Sequence, residues 1–298
     1  MGTGSGGGGR GWRPSLVTWA AAACVLIGTG LLSYTPAASW LHQYSQSRLI
    51  ESYNQQLLAE SAANRGEVPS PDEALGAARR YNEQLQFGAL VEANTHVPTG
   101  AGDETGSEYW SLLNGPAEIM SRIRIPDVDV DLPVYHGTAD LTLLRGAGHL
   151  RGTSLPVGGA SSHAVITAHR GLAEASMFTD LDRVEVGDRF TLETFGEVLV
   201  YEVQQTQVVA PEDSQALRAQ EGRDLVTLVT CTPLGINSHR ILVTGERILP
   251  TPEEDRAAAL KSSELPRFPW WALLSIGTVL ATIGFVWRAG YRDARPAE

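Results

Sequence analysis

Residues 224–249 read Asp224-Leu-Val-Thr-Leu-Val-Thr-Cys231-Thr-Pro-Leu-Gly-Ile-Asn237-Ser-His-Arg240-Ile-Leu-Val-Thr-Gly-Glu-Arg-Ile-Leu249. Two runs rich in Val, Leu, Ile and Thr flank a break at Pro233 to Gly235. Such side chains suit a pleated, half-buried surface, and Pro and Gly end it. The stretch predicts two strands, over 224–231 and 240–249, with polar side chains where they meet the turn. The same texture runs back to Ile119. It predicts strands over 121–125, 132–135, 163–168, 189–194 and 198–208, with breaks at Pro126, Gly137, 146–148, Gly187, Gly196 and Gly222. One helical patch is predicted over 172–181. Many short strands without regular βαβ alternation indicate a mostly antiparallel β barrel or sandwich.

Upstream of this domain the texture is helical. Residues 38–60 and 72–90 read as helices, the second opened by the capping signal Ser70-Pro71-Asp72-Glu73. A loop rich in Gly and Pro spans 96–106, and 107–113 predicts a short helix.

Two apolar runs frame the whole, at 16–32 and 270–287. Each is long enough to cross a membrane, and Trp residues sit near their ends. The first reads as an uncleaved anchor. A signal peptide cut near Ala37-Ala38-Ser39 is the competing reading. Arg10 and Arg13 precede the first run, and Arg288, Arg292 and Arg295 follow the second. The positive-inside rule then places both tails in the cytoplasm and the intervening domain outside. The predicted organisation is a disordered tail (1–14), a membrane helix or signal anchor (15–33), a helical region with room for a lid (34–118), a β domain (119–250), a linker (251–269), a second membrane helix (270–287) and a tail (288–298).

The chain has 298 residues and a net charge of −11, which speaks against nucleic-acid binding. Two cysteines exclude a disulfide-rich scaffold and a multi-cysteine zinc site. Cys24 lies in the first apolar run, so Cys231 is a lone thiol in the outer domain. Three strings place polar side chains at strand ends: Thr167-Ala168-His169-Arg170-Gly171, Thr227 to Pro233, and Asn237-Ser238-His239-Arg240. A thiolate nucleophile needs a proton partner such as His, and acyl transfer needs a donor for the oxyanion, which Arg supplies. On the residues alone, Cys231 is either this nucleophile or an inert buried thiol. No paired His or Cys spacing suggests a metal site.

Together these strings resemble the sortase family, over roughly residues 119–249. The match to class C, the pilin-polymerising sortases, rests on Leu132-Pro133-Val134-Tyr135-His136-Gly137-Thr138, Gly148-His149-Leu150, Ser154-Leu155-Pro156-Val157-Gly158-Gly159 and Thr232-Pro233-Leu234-Gly235-Ile236-Asn237. A second membrane helix is also typical of that class. The resemblance implies an eight-stranded β-barrel thiol transpeptidase between N-terminal helices and flanking membrane helices. Cys231 would attack the Thr–Gly bond of an LPXTG-like sorting signal and hold the pilin as a thioester. A pilin Lys amine would resolve it. His169 would move the protons and Arg240 would stabilise the oxyanion. Thr230, Thr232, Asn237 and His239 would contact substrate, and no cofactor is required. Class C enzymes usually carry a lid with an Asp-Pro-aromatic plug. Residues 87–110 hold no Asp-Pro pair, so either another side chain such as His96 or Trp110 serves as the plug, or the site is open and the stretch is a linker. The alternatives are a housekeeping sortase, whose acceptor is a cell-wall peptide amine, and a non-catalytic membrane-anchored binding domain. The only lysine is Lys261, and the nearest string to a sorting signal, Leu249-Pro250-Thr251-Pro252, lacks Thr-Gly, so the chain does not read as a pilin.

Overall fold

The computed structural model describes residues 12–63, 70–91, 107–172, 174–211, 215–259 and 261–293. The chain divides into two compact units, Met1–Leu41 with Arg267–Glu298, and His42–Pro266.

The smaller unit holds the first part of one helix, up to Leu41, and the whole of another. Helix α1 is Leu16–Ala63 and helix α6 is Trp270–Asp293. Their most apolar windows have mean hydropathies of 1.9 and 1.6. Only 11% and 6% of those windows is buried against protein, so neither is a core helix of a soluble domain. Within this unit, the Trp12 indole donates to the Trp287 carbonyl (3.2 Å) and the Trp40 indole to the Arg267 carbonyl (2.8 Å). The hydroxyls of Ser33 and Ser275 lie 2.9 Å apart. Where the sequence predicts separate helices over 16–32 and 38–60, the structure has one, which carries Pro36 inside it. A proline removes a single donor from the ladder, and here that loss does not end the helix.

The larger unit is built on eight strands: β1 Ile119–Ile125, β2 Val130–His136, β3 Ala147–His149, β4 Ser162–Thr167, β5 Arg189–Thr194, β6 Glu197–Val209, β7 Asp224–Thr232 and β8 His239–Arg247. They close into a barrel in the order β1-β2-β3-β4-β7-β8-β6-β5. Two pairings, β2 with β3 and β4 with β7, are parallel and the rest are antiparallel. The interior is filled by alternate residues, among them Ile123, Leu132, Ile166, Phe190, Leu192, Tyr201, Leu228 and Val243.

β3 follows a short helix, α4 (Asp140–Arg145), and falls where the sequence predicts a break. Glycines in and just before it serve close approach: a Cβ on Gly148 would lie 2.3 Å from the Gly137 carbonyl oxygen, and one on Gly146, which precedes the strand, 2.6 Å from that of Pro133. The predicted helix over 172–181 is absent among the described residues. Turns and an isolated bridge between Leu172 and Ala175 lead instead to a single 3-10 turn, Leu181–Arg183. Met177 and Phe178 are drawn into the barrel core, Met177 with φ of 43°, which a continuous helix does not allow. The stretch predicted as linker holds helix α5, Glu253–Ala259. Glu253, Glu254 and Asp255 fill its first turn, where carboxylates complement the helix dipole.

A second apolar cluster covers one side of the barrel. It joins Tyr53 and Leu57 to helix α2 (Pro71–Val91) and helix α3 (Ser107–Ser111), and packs them on Ile119, Met120, Leu155 and Phe195. The capping signal forms as predicted. The Ser70 N–H donates to Glu73 Oε2 (3.1 Å) and the Glu73 N–H to Ser70 Oγ (3.4 Å). Asn82 brackets the Leu155 main chain, donating to its carbonyl at 3.0 Å and accepting from its N–H at 2.7 Å.

His149 sits at the base of this cluster, fully buried. Its Nε2 donates to the Ser154 carbonyl (2.9 Å), so its Nδ1 accepts from the Tyr109 hydroxyl (3.0 Å). Burial holds its pKa down at about 4 against an ordinary 6.5. Between those values the unfolded chain binds a proton that the folded one refuses. Stability is therefore lost as pH falls from 6.5 towards 4, by at most about 3 kcal/mol from this group. His136 and His163 are pushed down by burial too and add to the slope. We expect urea midpoints at pH 7 and pH 4.5 to differ less for His149→Gln than for the wild type. Equal differences would show that His149 does not carry the titration.

Candidate active site

Register and alternation assemble the site. On β7, Val226 and Leu228 enter the core; on β4, Ala164, Ile166 and Ala168; on β8, Ile241 and Val243. Successive side chains of a strand face opposite ways. Thr227, Val229 and Cys231 therefore share the outer face with Thr167, and with Arg240, Leu242 and Thr244. Lower on this face the alternation is visible as a hydroxyl relay. Thr227 Oγ1 lies 2.8 Å from Thr244 Oγ1 and 2.7 Å from His163 Nε2.

At the upper end, Cys231 is the register partner of Arg240 across β7 and β8. Directly opposed residues have Cβ atoms about 4.5–5.5 Å apart. On the other flank Thr167 pairs with Val229, and the Ala168 N–H donates to the Val229 carbonyl (3.2 Å). His169 follows Thr167 by two residues, as Cys231 follows Val229. Cys231 and Arg240 are thus opposed across β7 and β8, and His169 lies just past the end of β4, two residues beyond its last pairing with β7. All three are half-buried, so the thiol is open to a ligand and is not an enclosed core cysteine.

The surroundings fix these residues. The Phe178 N–H donates to the His169 carbonyl (3.0 Å). Arg240 Nη1 donates to the carbonyls of Asn237 (2.9 Å) and His239 (3.0 Å). Asn237 takes φ of 57°, a left-handed conformation that Asn tolerates, and its N–H donates to the Pro233 carbonyl (2.9 Å). His239 is exposed, with Nδ1 2.9 Å from Ser238 Oγ. The loop also leans on the histidine segment. Gly171, with φ of 75°, leaves the space in which Leu234 Cδ2 sits, 2.4 Å from where a Cβ would be.

The other predicted site residues divide. Thr230 is only 1% exposed, and its hydroxyl donates to the Ala168 carbonyl (2.8 Å), so it braces two strands and is not presented to a substrate. Thr232 Oγ1 accepts from Arg170 (2.9 Å). The sequence assigns Arg170 no role, because nothing in local spacing relates it to Thr232, 62 positions away. His96 lies outside the described residues, as do 92–106 of the predicted lid. Trp110, on α3, packs 5.9 Å from the His136 ring and against Gly137. The registers His136 to His149 and His149 to Ile166 put that contact three residues before His169 along β4 and two strands further round. Trp110 is thus a cap on β2, remote from Cys231. Among the described residues, no three His, Cys, Asp or Glu side chains converge as metal ligands.

Known proteins resemble this chain. The family model for the sortase domain matches residues 123–248. The crystal structure of sortase C-1 from Actinomyces oris is 44% identical, covering 60% of this chain and 98% of that one, with a TM-score of 0.53. Sortase C of Streptococcus pneumoniae is 35% identical, covering 69% of this chain and 98% of that one, with a TM-score of 0.57. Sortase A of Streptococcus agalactiae is 30% identical over 117 residues, which is 38% of this chain and 47% of that protein. The chain spans roughly half the length of the curated relatives it matches.

Proposed function

Because this chain belongs to the sortase family, we propose that it is a membrane-anchored cysteine transpeptidase that joins pilin subunits. The observation that carries the reading is the register that opposes Cys231 to Arg240 and ends the β4–β7 pairing two residues before both His169 and Cys231. The Cys231 thiolate attacks the Thr carbonyl carbon of a Leu-Pro-X-Thr-Gly signal. The C–N bond to Gly breaks, and the leaving amine takes a proton from His169. The pilin is left as a thioester. A neutral Lys ε-amine of the next subunit attacks that carbonyl and passes a proton to His169; the C–S bond breaks, the Cys231 thiolate leaves, and an isopeptide bond forms. Arg240 holds the negative charge that develops on the carbonyl oxygen in both steps. In this scheme α1 and α6 anchor the enzyme in the cell membrane, with both arginine-flanked ends in the cytoplasm and the barrel outside.

The test uses the full chain in detergent micelles, a Leu-Pro-X-Thr-Gly peptide and a Lys-bearing pilin domain, read by intact mass. An acyl adduct on Cys231 followed by an isopeptide product supports polymerisation. An adduct resolved only by cell-wall-like peptide amines would move the assignment to surface-protein anchoring. No adduct with any such peptide would end the transpeptidase reading.

Arg240→Lys keeps the charge and loses the planar fork. We expect turnover to fall about 100-fold, the typical loss on removing an oxyanion donor. A fall of less than about threefold in steady-state transfer would mean that charge alone suffices.

A further inference from the structure

We infer that Arg170 is a positioning residue, which holds the His169 segment at a fixed separation from the Cys231 strand end. The inference rests on the transpeptidase reading for its functional meaning. Its three nitrogens each have a separate partner. Nε donates to the Thr179 carbonyl (3.0 Å), Nη1 to Thr232 Oγ1 (2.9 Å), and Nη2 lies 2.5 Å from Asp182 Oδ2. The side chain is only 8% exposed. Arg170 directly follows His169, and Thr232 directly follows Cys231. One rigid, planar group therefore spans the immediate neighbours of both reacting side chains.

The place of this bond in the fold gives it its effect. Main-chain pairing of β4 with β7 stops at Thr167 and Val229, with one further rung from the Ala168 N–H. Past that point the β4 segment has left the sheet. The Arg170–Thr232 bond then ties the histidine segment back to β7. The same short stretch that anchors Arg170, residues 178–182, also holds the His169 main chain, through the Phe178 N–H at 3.0 Å. The Gly171 N–H adds a bond to Thr179 Oγ1 (3.2 Å). Asp182 and Thr179 would satisfy Arg170 as an ordinary loop brace. The third branch, to Thr232, crosses to the nucleophile's strand and has no such local purpose.

The test compares the full-length wild type in micelles with Arg170→Lys, Thr232→Val and the double variant. Three quantities are read: kcat and KM for peptide transfer, the pH profile of Cys231 alkylation by iodoacetamide, and thermal unfolding. Displacing a catalytic pair by about 1 Å costs on the order of 100-fold. We expect each single variant to lower kcat at least about 10-fold, with KM within about twofold. The alkylation midpoint should move, and the double variant should be no slower than the slower single one, since both remove one bond. Wild-type kcat and alkylation profile in both single variants would overturn the inference, and so would losses that multiply. If Arg170→Lys fails to fold, Thr232→Val, which deletes a single hydroxyl, decides alone. If the wild type forms no acyl adduct, the transpeptidase reading fails, while the alkylation profiles still report whether Arg170 sets the thiol's surroundings.

Discussion

Cys231→Ala should yield no acyl adduct and should lower peptide transfer by at least about 10⁴-fold, as loss of a nucleophile does in other covalent acyl-transfer enzymes. Cys231 ends β7, half-buried and opposite Arg240, with His169 just past the end of β4. Neither His169 nor Arg240 attacks a carbonyl at neutral pH. The only other cysteine, Cys24, lies in the apolar stretch of α1 and serves as an internal control. It should carry no acyl mass in either protein. The substitution removes one sulfur at a strand end whose pairing is main-chain, so thermal unfolding should shift by less than about 1 kcal/mol in stability terms. Transfer that survives in a folded Cys231→Ala protein would remove Cys231 from the mechanism and leave His169 and Arg240 without a nucleophile.

How much of this was readable before the structure depends on the range of the interaction. The strands with β-branched alternation, such as Arg189–Thr194 and Asp224–Thr232, lie within a residue or two of their predicted bounds. Local side-chain pattern and local backbone state agree there. The Ser70 and Glu73 cap is equally local. The β7–β8 hairpin was also within reach. Its turn sets the register, with Cys231 opposite Arg240 across the eight residues that separate them. The position of His169 is different in kind. It depends on the parallel β4–β7 pairing between segments about 60 residues apart, and no periodicity encodes that; only the resemblance to a family supplied it. β3 was missed because glycine permits close strand approach and also marks turns, and the sequence shows only the glycine. The 172–181 segment was misread because its apolar spacing suits a helix, whereas Met177 and Phe178 are spent on the barrel core.

Arg122 was not singled out by sequence either, yet its replacement by Met should produce the largest loss of stability. Its side chain is 0% exposed within the barrel wall. Nε donates to Asp131 Oδ1 and Nη2 to Asp131 Oδ2, both at 2.7 Å, a two-pronged match of fork to carboxylate. Nη1 lies 3.4 Å from Glu193 Oε2 and donates to the carbonyls of Ala259 (3.2 Å) and Lys261 (3.1 Å). One side chain thus joins β1, β2, β5 and the segment after α5. Met fills similar volume but leaves Asp131 and Glu193 buried, with only the more distant Arg124, whose Nε is 3.8 Å from Asp131 Oδ2, as a cation. Removing one member of a buried ion pair costs about 3–5 kcal/mol, mostly through the uncompensated charge that stays behind. For a domain of this size that corresponds to a fall on the order of 10 °C in Tm. The pH dependence identifies the cause. Burial already pushes the Glu193 carboxyl up, and Arg122 opposes that shift. Without Arg122 the folded Glu193 rises further above its unfolded value and binds a proton more readily than the unfolded chain does. That proton stabilises the variant at low pH, and the benefit is lost as pH rises through the folded value. The deficit of Arg122→Met against wild type should therefore be larger at pH 8 than at pH 5.5 in urea titrations. Adding Glu193→Gln should recover part of it at pH 8 and little at pH 5.5. A deficit that does not vary with pH, and that Glu193→Gln leaves untouched, would assign the loss to packing and not to the stranded charge.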